Sequence, residues 1–478
     1  MNTTRRHASS KEIAGVSLAM LLAGCAVGPD YKRPDVTTPG QFRSQIGPAE
    51  ASSIADLPWW QVFNDKALQS LITEALTENY DLKAAVARIE QARQLVGVAR
   101  ADAYPQVGYG VGASRQKEFV PFEQIGKNIT FNSFGAAINA AWEIDVWGRI
   151  RRSTEAAQAN LLAREDVRRG VMLTLVSDVA TAYFALIELD RELAIARDSA
   201  DTYRKTLDLF TQRFQSGKDS KLPVVRAQAS YDSSTATIAA LHRAIVQQEN
   251  ALSVLLGTDP RSIERGIRLA DQTLPATPVG LTTDLLQRRP DILQAEHVMI
   301  GANAQIGVAV ANYFPVIGLG ALFGAQAPHV DDVLKSNFNV WSIGANLTGP
   351  IFQGGRLNAQ YHAQKAFWDE TIAQYKETIL VAFQETSNAL IAQQTLVGQR
   401  AALQSQVDSL RQSVDLAFER YNGGRATYFE VLEAEQQLFP SEDALAQTQR
   451  DQLLAVVNLY KALGGGWNLK DADWGAPK

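Results

Sequence analysis

Apolar and polar residues alternate with a period of two in short stretches, and apolar residues recur at spacings of three and four in the long stretches between them. Val107, Tyr109 and Val111 alternate with Gly108, Gly110 and Gly112, starting after Pro105. Phe134, Ala136, Ile138, Ala140, Trp142 and Ile144 fall on one face of the next stretch, and Gly135, Ala137, Asn139, Ala141, Glu143 and Asp145 on the other. Trp341, Ile343, Ala345 and Leu347 alternate with Ser342, Gly344, Asn346 and Thr348. This pattern predicts half-buried strands. At roughly ten residues each, they suit a tilted membrane strand or a soluble sandwich hairpin.

The other period predicts very long helices. From Arg149 to Phe214 there is no proline and a single glycine, Gly170. Leu175, Val179, Leu186, Leu193, Ala200, Tyr203, Phe210 and Phe214 lie on a heptad seam. The seam returns through Val224, Ala227, Tyr231, Ile238 and Ile245, and recurs through Leu403, Val407, Leu410, Val414, Ala417 and Tyr421. A helix of ~65 residues would be roughly 98 Å long, far more than a compact domain needs. A shorter first helix is predicted over Lys66 to Ala101. Beyond residue 27 no apolar run reaches the ~18 residues of a spanning helix, so no helical membrane span is expected.

The same order of elements occurs twice. Gly97-Val98-Ala99, Tyr104-Pro105, Gly108 and Gly110 match Gly307-Val308-Ala309, Phe314-Pro315, Gly318 and Gly320. Further on, Gly148-Arg149 matches Gly355-Arg356. Arg213, Gly217 and Val224 match Arg420, Gly424 and Val431, and Leu256-Gly257 matches Leu463-Gly464. Each copy reads helix, strand, strand, long helix, helix. The expected organisation is a signal peptide over 1–24, an N-terminal segment over 25–65, repeat 1 over 66–257, a linker with three prolines over 258–280, repeat 2 over 281–464, and a tail over 465–478.

Two strands per copy give four per chain. In lipid an open sheet edge leaves backbone groups unpaired at several kcal/mol each, and only closure removes edges. Membrane barrels start at about eight strands. Two chains would supply eight and three would supply twelve, so the chain is expected to oligomerise.

Charge and chemistry narrow the function. The formal charge is −5, which argues against a nucleic-acid partner. The single cysteine forms no internal disulfide and no cysteine metal cluster, and the five histidines are scattered. Gly217-Lys218 lacks the upstream glycine of a phosphate loop, and Gly318-x-Gly320 has no following helix. No catalytic centre, metal or cofactor is expected. Arg5, Arg6 and Lys11 precede the apolar Ile13–Ala23 stretch, which ends at Leu22-Ala23-Gly24-Cys25. This resembles a bacterial lipoprotein signal in which Cys25 is acylated. Ala26, rather than an aspartate, follows it, which points to the outer membrane.

The chain resembles the outer-membrane efflux factors (TolC-like), in particular the lipoprotein branch serving resistance-nodulation-division pumps. The resemblance is carried by Gly28-Pro29-Asp30-Tyr31 with Pro34, Pro58-Trp59-Trp60, and Trp142-Glu143-Ile144-Asp145 with Trp147-Gly148-Arg149. Arg288-Arg289-Pro290-Asp291-Ile292, the stretch from Ala302 to Ala309, and Ala462-Leu463-Gly464-Gly465-Gly466-Trp467 complete it. It implies a homotrimer with a twelve-stranded outer-membrane β-barrel continuous with a periplasmic α-helical barrel. It also implies a periplasmic adaptor and a proton-driven inner-membrane pump as partners, with the trimer as passive exit duct for toxic small molecules. Protein secretion and a lipid-anchored structural role are the rival readings.

The helix-turn-helix tips lie at Arg213 to Gly217, with Lys218, and at Arg420 to Gly424. As caps, the glycines take left-handed turns and the arginines suit the negative helix ends. The family match implies that these tips touch the adaptor. Thr427-x-x-Glu430 fits a capping box. By resemblance, Glu430 and Glu433 narrow the tunnel, and a three-fold ring of carboxylates would concentrate cations. Tyr421 matches a position that ties neighbouring helices in the closed state. The matching acid is replaced by Pro223 and the matching arginine by Ala426, with Arg425 adjacent, so the family's closing bonds are not all available here.

Overall fold

The computed structural model describes residues 26–45, 52–120, 127–470 and 473–474. The expected signal peptide and Cys25 lie outside the described residues. The chain forms two compact units, each drawing on both sequence repeats. The first comprises Met1–Asp35, Arg88–Glu165 and Gln294–Tyr375, and the second Val36–Ala87, Asp166–Leu293 and Lys376–Lys478.

The first unit holds one antiparallel sheet of strands β1 (Gln106–Val120), β2 (Lys127–Ile144), β3 (Val316–Ala327) and β4 (Asn339–Thr348), in that order. The hairpins of the two repeats therefore join through β2 and β3. At 15 and 18 residues, β1 and β2 are longer than the alternation predicts. The pairing runs on past the apolar band into polar residues, with Arg115 opposite Asn132 and Lys117 opposite Thr130. The register sorts the side chains. Tyr109, Ile138, Phe323 and Trp341 form a row across all four strands on one face. Gly108 opposite Asn139, Gly110 opposite Ala137, and Gly318 opposite Asn346 lie on the other. The apolar face is uncovered: Tyr109 is 86% exposed and Ile343 80%. Among the described residues the outer edges of β1 and β4 pair with no strand.

An N-terminal strap explains the Gly-Pro-Asp-Tyr stretch. A Cβ on Gly28 (φ +100°) would lie 2.5 Å from the Gly307 Cα, so this close approach requires glycine at 28, whereas a Cβ on Gly307 would meet the Arg152 side chain at 2.8 Å. Asn303 Nδ2 donates to the Pro29 carbonyl at 3.0 Å, Asp30 pairs with Arg152 at 2.9 Å, and Tyr31 Oη donates to Glu296 at 3.0 Å. Arg33 forks onto the same Glu296. Val27 N donates to the Trp147 carbonyl at 3.0 Å. The Trp-Glu-Ile-Asp stretch ends β2 and starts the next helix. Glu143 pairs with Arg149, and the Asp145 carboxylate accepts from the amides of Ile150 and Arg151.

The helices repeat closely. α1 (Lys66–Glu78) leads into α2 (Tyr80–Ala101). The long helices are α3 (Arg149–Gln215) and α6 (Arg356–Asn422), 67 residues each, and the returning helices α4 (Lys221–Leu255) and α7 (Tyr428–Ala462), 35 each. α5 (Pro290–Ala311) matches α2 at 22 residues. The predicted Lys66 to Ala101 helix is thus two helices. Asn79 breaks it by leaving helical geometry (ψ 131°), donating through Nδ2 to the Leu255 carbonyl and accepting from Leu82 N. The seam of α3 is buried from Leu175 through Phe210, whereas Phe214, at its end, is exposed. One stretch of α3 also meets the length and apolarity of a membrane span, contrary to the expectation from apolar runs, but it is mostly buried within the fold. Its apolarity serves packing.

In the second unit the segment around Trp59 meets Trp474. Trp59 is fully buried and donates through Nε1 to the Trp474 carbonyl at 3.1 Å, and Tyr460 Oη donates to the Leu57 carbonyl at 3.0 Å. The segment 258–280 is irregular apart from the short turn Leu269–Asp271 and a bridge from Val279 to Ser53, yet it is fastened. Arg265 in it pairs with Asp190 at 2.8 Å and Glu249 at 2.5 Å.

Candidate functional site: the helix-turn-helix tips

All the tip residues named from the sequence belong to the second unit. At the first tip Lys218 N donates to the Arg213 carbonyl (2.9 Å) and Gly217 N to that of Phe214 (3.0 Å). At the second, Arg425 N donates to the Arg420 carbonyl (2.8 Å) and Gly424 N to that of Tyr421 (3.0 Å). These are paired Schellman turns. Gly217 (φ +73°) and Gly424 (φ +66°) have open space around them, so conformation alone, not crowding, requires glycine. Lys218, Arg420, Gly424 and Arg425 are exposed.

Behind the turns an aromatic cluster joins the two repeats. Phe210 and Tyr428 meet edge to face at 4.4 Å, and Tyr421 lies 5.5 Å from Tyr428. Ala227, Ala417, Val431 and Leu432 pack into the same cluster. The Arg213 guanidinium sits over the Tyr421 ring at 5.3 Å and pairs with Asp219 at 2.8 Å. Burial pushes the Tyr421 phenol up, and the Arg213 charge pulls it back. Pro223, Ala426, Tyr421 and Arg213 line one cavity of about 350 Å³. Pro223 and Ala426 therefore lie around one cavity, and Arg213 with Asp219 is the ionic pair beside Tyr421.

The capping box expected at Thr427 does not form. Thr427 occupies the cap position of α7, but its side chain makes no cap bond. The Glu430 carboxylate instead pairs with Arg420 at 3.1 Å, across the turn. Glu433 is exposed. Sequence reasoning missed Glu435, which is 4% exposed and accepts from Tyr428 Oη at 3.3 Å. Its signal was there: Val431, Glu435 and Leu438 share helical spacing, so an acid lies on the apolar stripe.

A family model described as "Outer membrane efflux protein" matches residues 71–258 and 281–465. The toluene efflux pump outer membrane protein TtgC of Pseudomonas putida is 33% identical, over 94% of each chain. The cation efflux system protein CusC of Escherichia coli is 31% identical over 94% of this chain and 97% of that one. The open-state outer membrane channel MtrE of Neisseria gonorrhoeae superposes with a TM-score of 0.82 at 29% identity, covering 93% of this chain and 99% of that one. The chain belongs to the outer membrane efflux protein family. It is an outer-membrane protein, and the fold class expected from its sequence, barrel strands joined to long periplasmic helices in two repeats, is the fold of that family.

Proposed function

We propose that three copies of this chain form the outer-membrane exit duct of a tripartite efflux pump, carrying toxic small molecules and performing no chemistry of its own. The single observation that carries this is the sorted sheet with two open edges. One face presents an apolar, lipid-ready row, and the other presents glycine, alanine, asparagine and serine. Three such sheets joined edge to edge close a twelve-stranded barrel with a largely uncharged lumen. A lumen with few fixed charges suits chemically diverse cargo, as the toluene and cation systems of the relatives illustrate.

Selectivity then falls to the tips. Glu430 and Glu433, tripled, form the aperture ring with Tyr421 and Arg425 beside it. Arg213, Gly217, Lys218, Arg420 and Gly424 present the turn surface to a periplasmic adaptor, which links the duct to a proton-driven inner-membrane pump. The Arg420–Glu430 pair bridges the turn, and opening the ring is accompanied by its loss. Cys25, acylated, anchors the strap, because Val27 is tied to Trp147 where β2 ends. Intact-mass measurement is expected to find the acylated residue, and Cys25→Ser to lack it.

The test is single-channel recording from purified trimers in planar bilayers. Glu430→Ala with Glu433→Ala is expected to raise conductance several-fold and to weaken cation preference. A trimer carrying no current, or a variant with unaltered conductance and selectivity, would overturn this assignment.

A further inference from the structure

Glu435 is the only carboxyl among the buried residues of α7. Its neighbours form a short chain of hydroxyls. Tyr428 Oη lies 2.9 Å from Thr206 Oγ1 on α3 and 3.3 Å from Glu435 Oε2. Tyr428 has one proton to give. When Glu435 is ionised, Tyr428 must donate to it, and Thr206 must donate to Tyr428. When Glu435 is protonated, it donates to Tyr428, which donates on to Thr206. Both directions keep the two bonds of the chain, and they differ by one buried charge.

We propose that Glu435 couples the seam between the two tip hairpins to proton concentration: neutral, it holds α7 against α3 through Tyr428 and Thr206, and ionised, it loosens that contact. This deepens the reading of the tips as the aperture and rests on it.

Among the described residues Glu435 has no ion-pair partner: Arg226 of α4 lines the adjoining cavity with Tyr203 and Leu432, but its guanidinium sits over the Phe429 ring at 5.8 Å. From α3 the titratable group bearing on Glu435 is Tyr203, and from its own helix Tyr428. α4 and α6 bring Ala227, Tyr231, Ala417 and Tyr421 to the adjoining cluster. Arg213 and Asp219 lie beyond Tyr421 and are committed to each other. Burial pushes the Glu435 carboxyl up to about 7, with the Tyr428 hydrogen bond pulling against it. The sign follows. A carboxyl raised in the packed state makes packing strongest at low pH, and the penalty for ionising it accumulates from about pH 4.5 and is complete above about pH 7. The seam therefore loosens as pH rises through that window.

Amide hydrogen exchange of residues 428–438, corrected for intrinsic rates, reads the seam directly in the full-length protein in lipid. Wild type is expected to lose protection by about tenfold between pH 5 and pH 8. Glu435→Gln, neutral at every pH, is expected to stay protected throughout. Tyr428→Phe removes the bond that favours the ionised form, so its midpoint is expected to move upward. It also serves if the glutamine variant does not fold. A wild type without pH response, a glutamine variant that keeps the response, or an unmoved Tyr428→Phe midpoint overturns the proposal. Parallel recordings separate the two readings. Absence of current at any pH defeats the duct, while the exchange measurement still decides the role of Glu435. Loss of cation preference in the Glu430 and Glu433 variants, without a shifted exchange midpoint, leaves both intact.

Discussion

Arg289→Ala is expected to lower stability by about 3 kcal/mol. The side chain is 8% exposed and sits where three segments of the second unit converge. It forks onto Asp291 at 3.0 and 2.6 Å, pairs with Glu385 at 2.7 Å, and donates to the Ala462 carbonyl at 2.9 Å. That carbonyl belongs to the last residue of α7, where orphan acceptors need a donor. Alanine leaves the buried carbonyl unpaired and removes three charge-assisted bonds. Because Asp291 and Glu385 are themselves about half exposed, water repays part of the loss, which holds the cost below that of a fully enclosed pair. Lysine cannot reproduce the fork. Urea midpoints of the purified protein are expected to rank wild type above Arg289→Lys above Arg289→Ala, and equal midpoints would remove this cluster from the stability account.

Ile343→Arg is expected to cost about 2–4 kcal/mol in the bilayer and to reduce the folded barrel recovered from membranes. Ile343 stands on the apolar face beside Phe323 and Trp341, and none of the described residues covers it. Ser342→Arg, one residue earlier, points to the opposite face and is expected to be tolerated. The comparison discriminates sharply. On a soluble sheet the same exposed isoleucine would accept arginine at little cost, because water would solvate the charge. Heat-modifiability of the barrel on gels, read for both variants, gives the answer. Equal recovery would mean that lipid does not meet this face.

Much of this was legible because two periods dominate the chain. The strand faces, both long helices and their returns, and the tip glycines all follow from spacing, since side-chain period and backbone dihedral are local properties. The failures have a common cause. Asn79 reads as an ordinary helical residue until its amide finds Leu255, far along the chain. Thr427 and Glu430 fit a local capping rule, but Arg420 across the turn takes the carboxylate first. Arg213 reads as a helix-end cation, and its place over Tyr421 depends on the second repeat folding against the first. Glu435 was visible as an acid on an apolar stripe, whereas its hydroxyl chain through Tyr428 to Thr206 requires α3 and α7 to be side by side. Local chemistry proposes partners, and tertiary competition decides among them.

The meeting of Trp59 with Trp474, 415 positions apart, constrains how the molecule can be made. The Trp59 indole lacks its Trp474 partner until the far part of the chain is made, so this early segment cannot complete its packing before then. Closing so large a loop is slow, though each doubling of its length adds only about 0.6 kcal/mol. Aromatic surface near the beginning therefore stays open to water until synthesis is nearly complete. A chain cut short before α7 would lose both the Trp474 and the Tyr460 contacts to this segment and leave its aromatic surface open permanently.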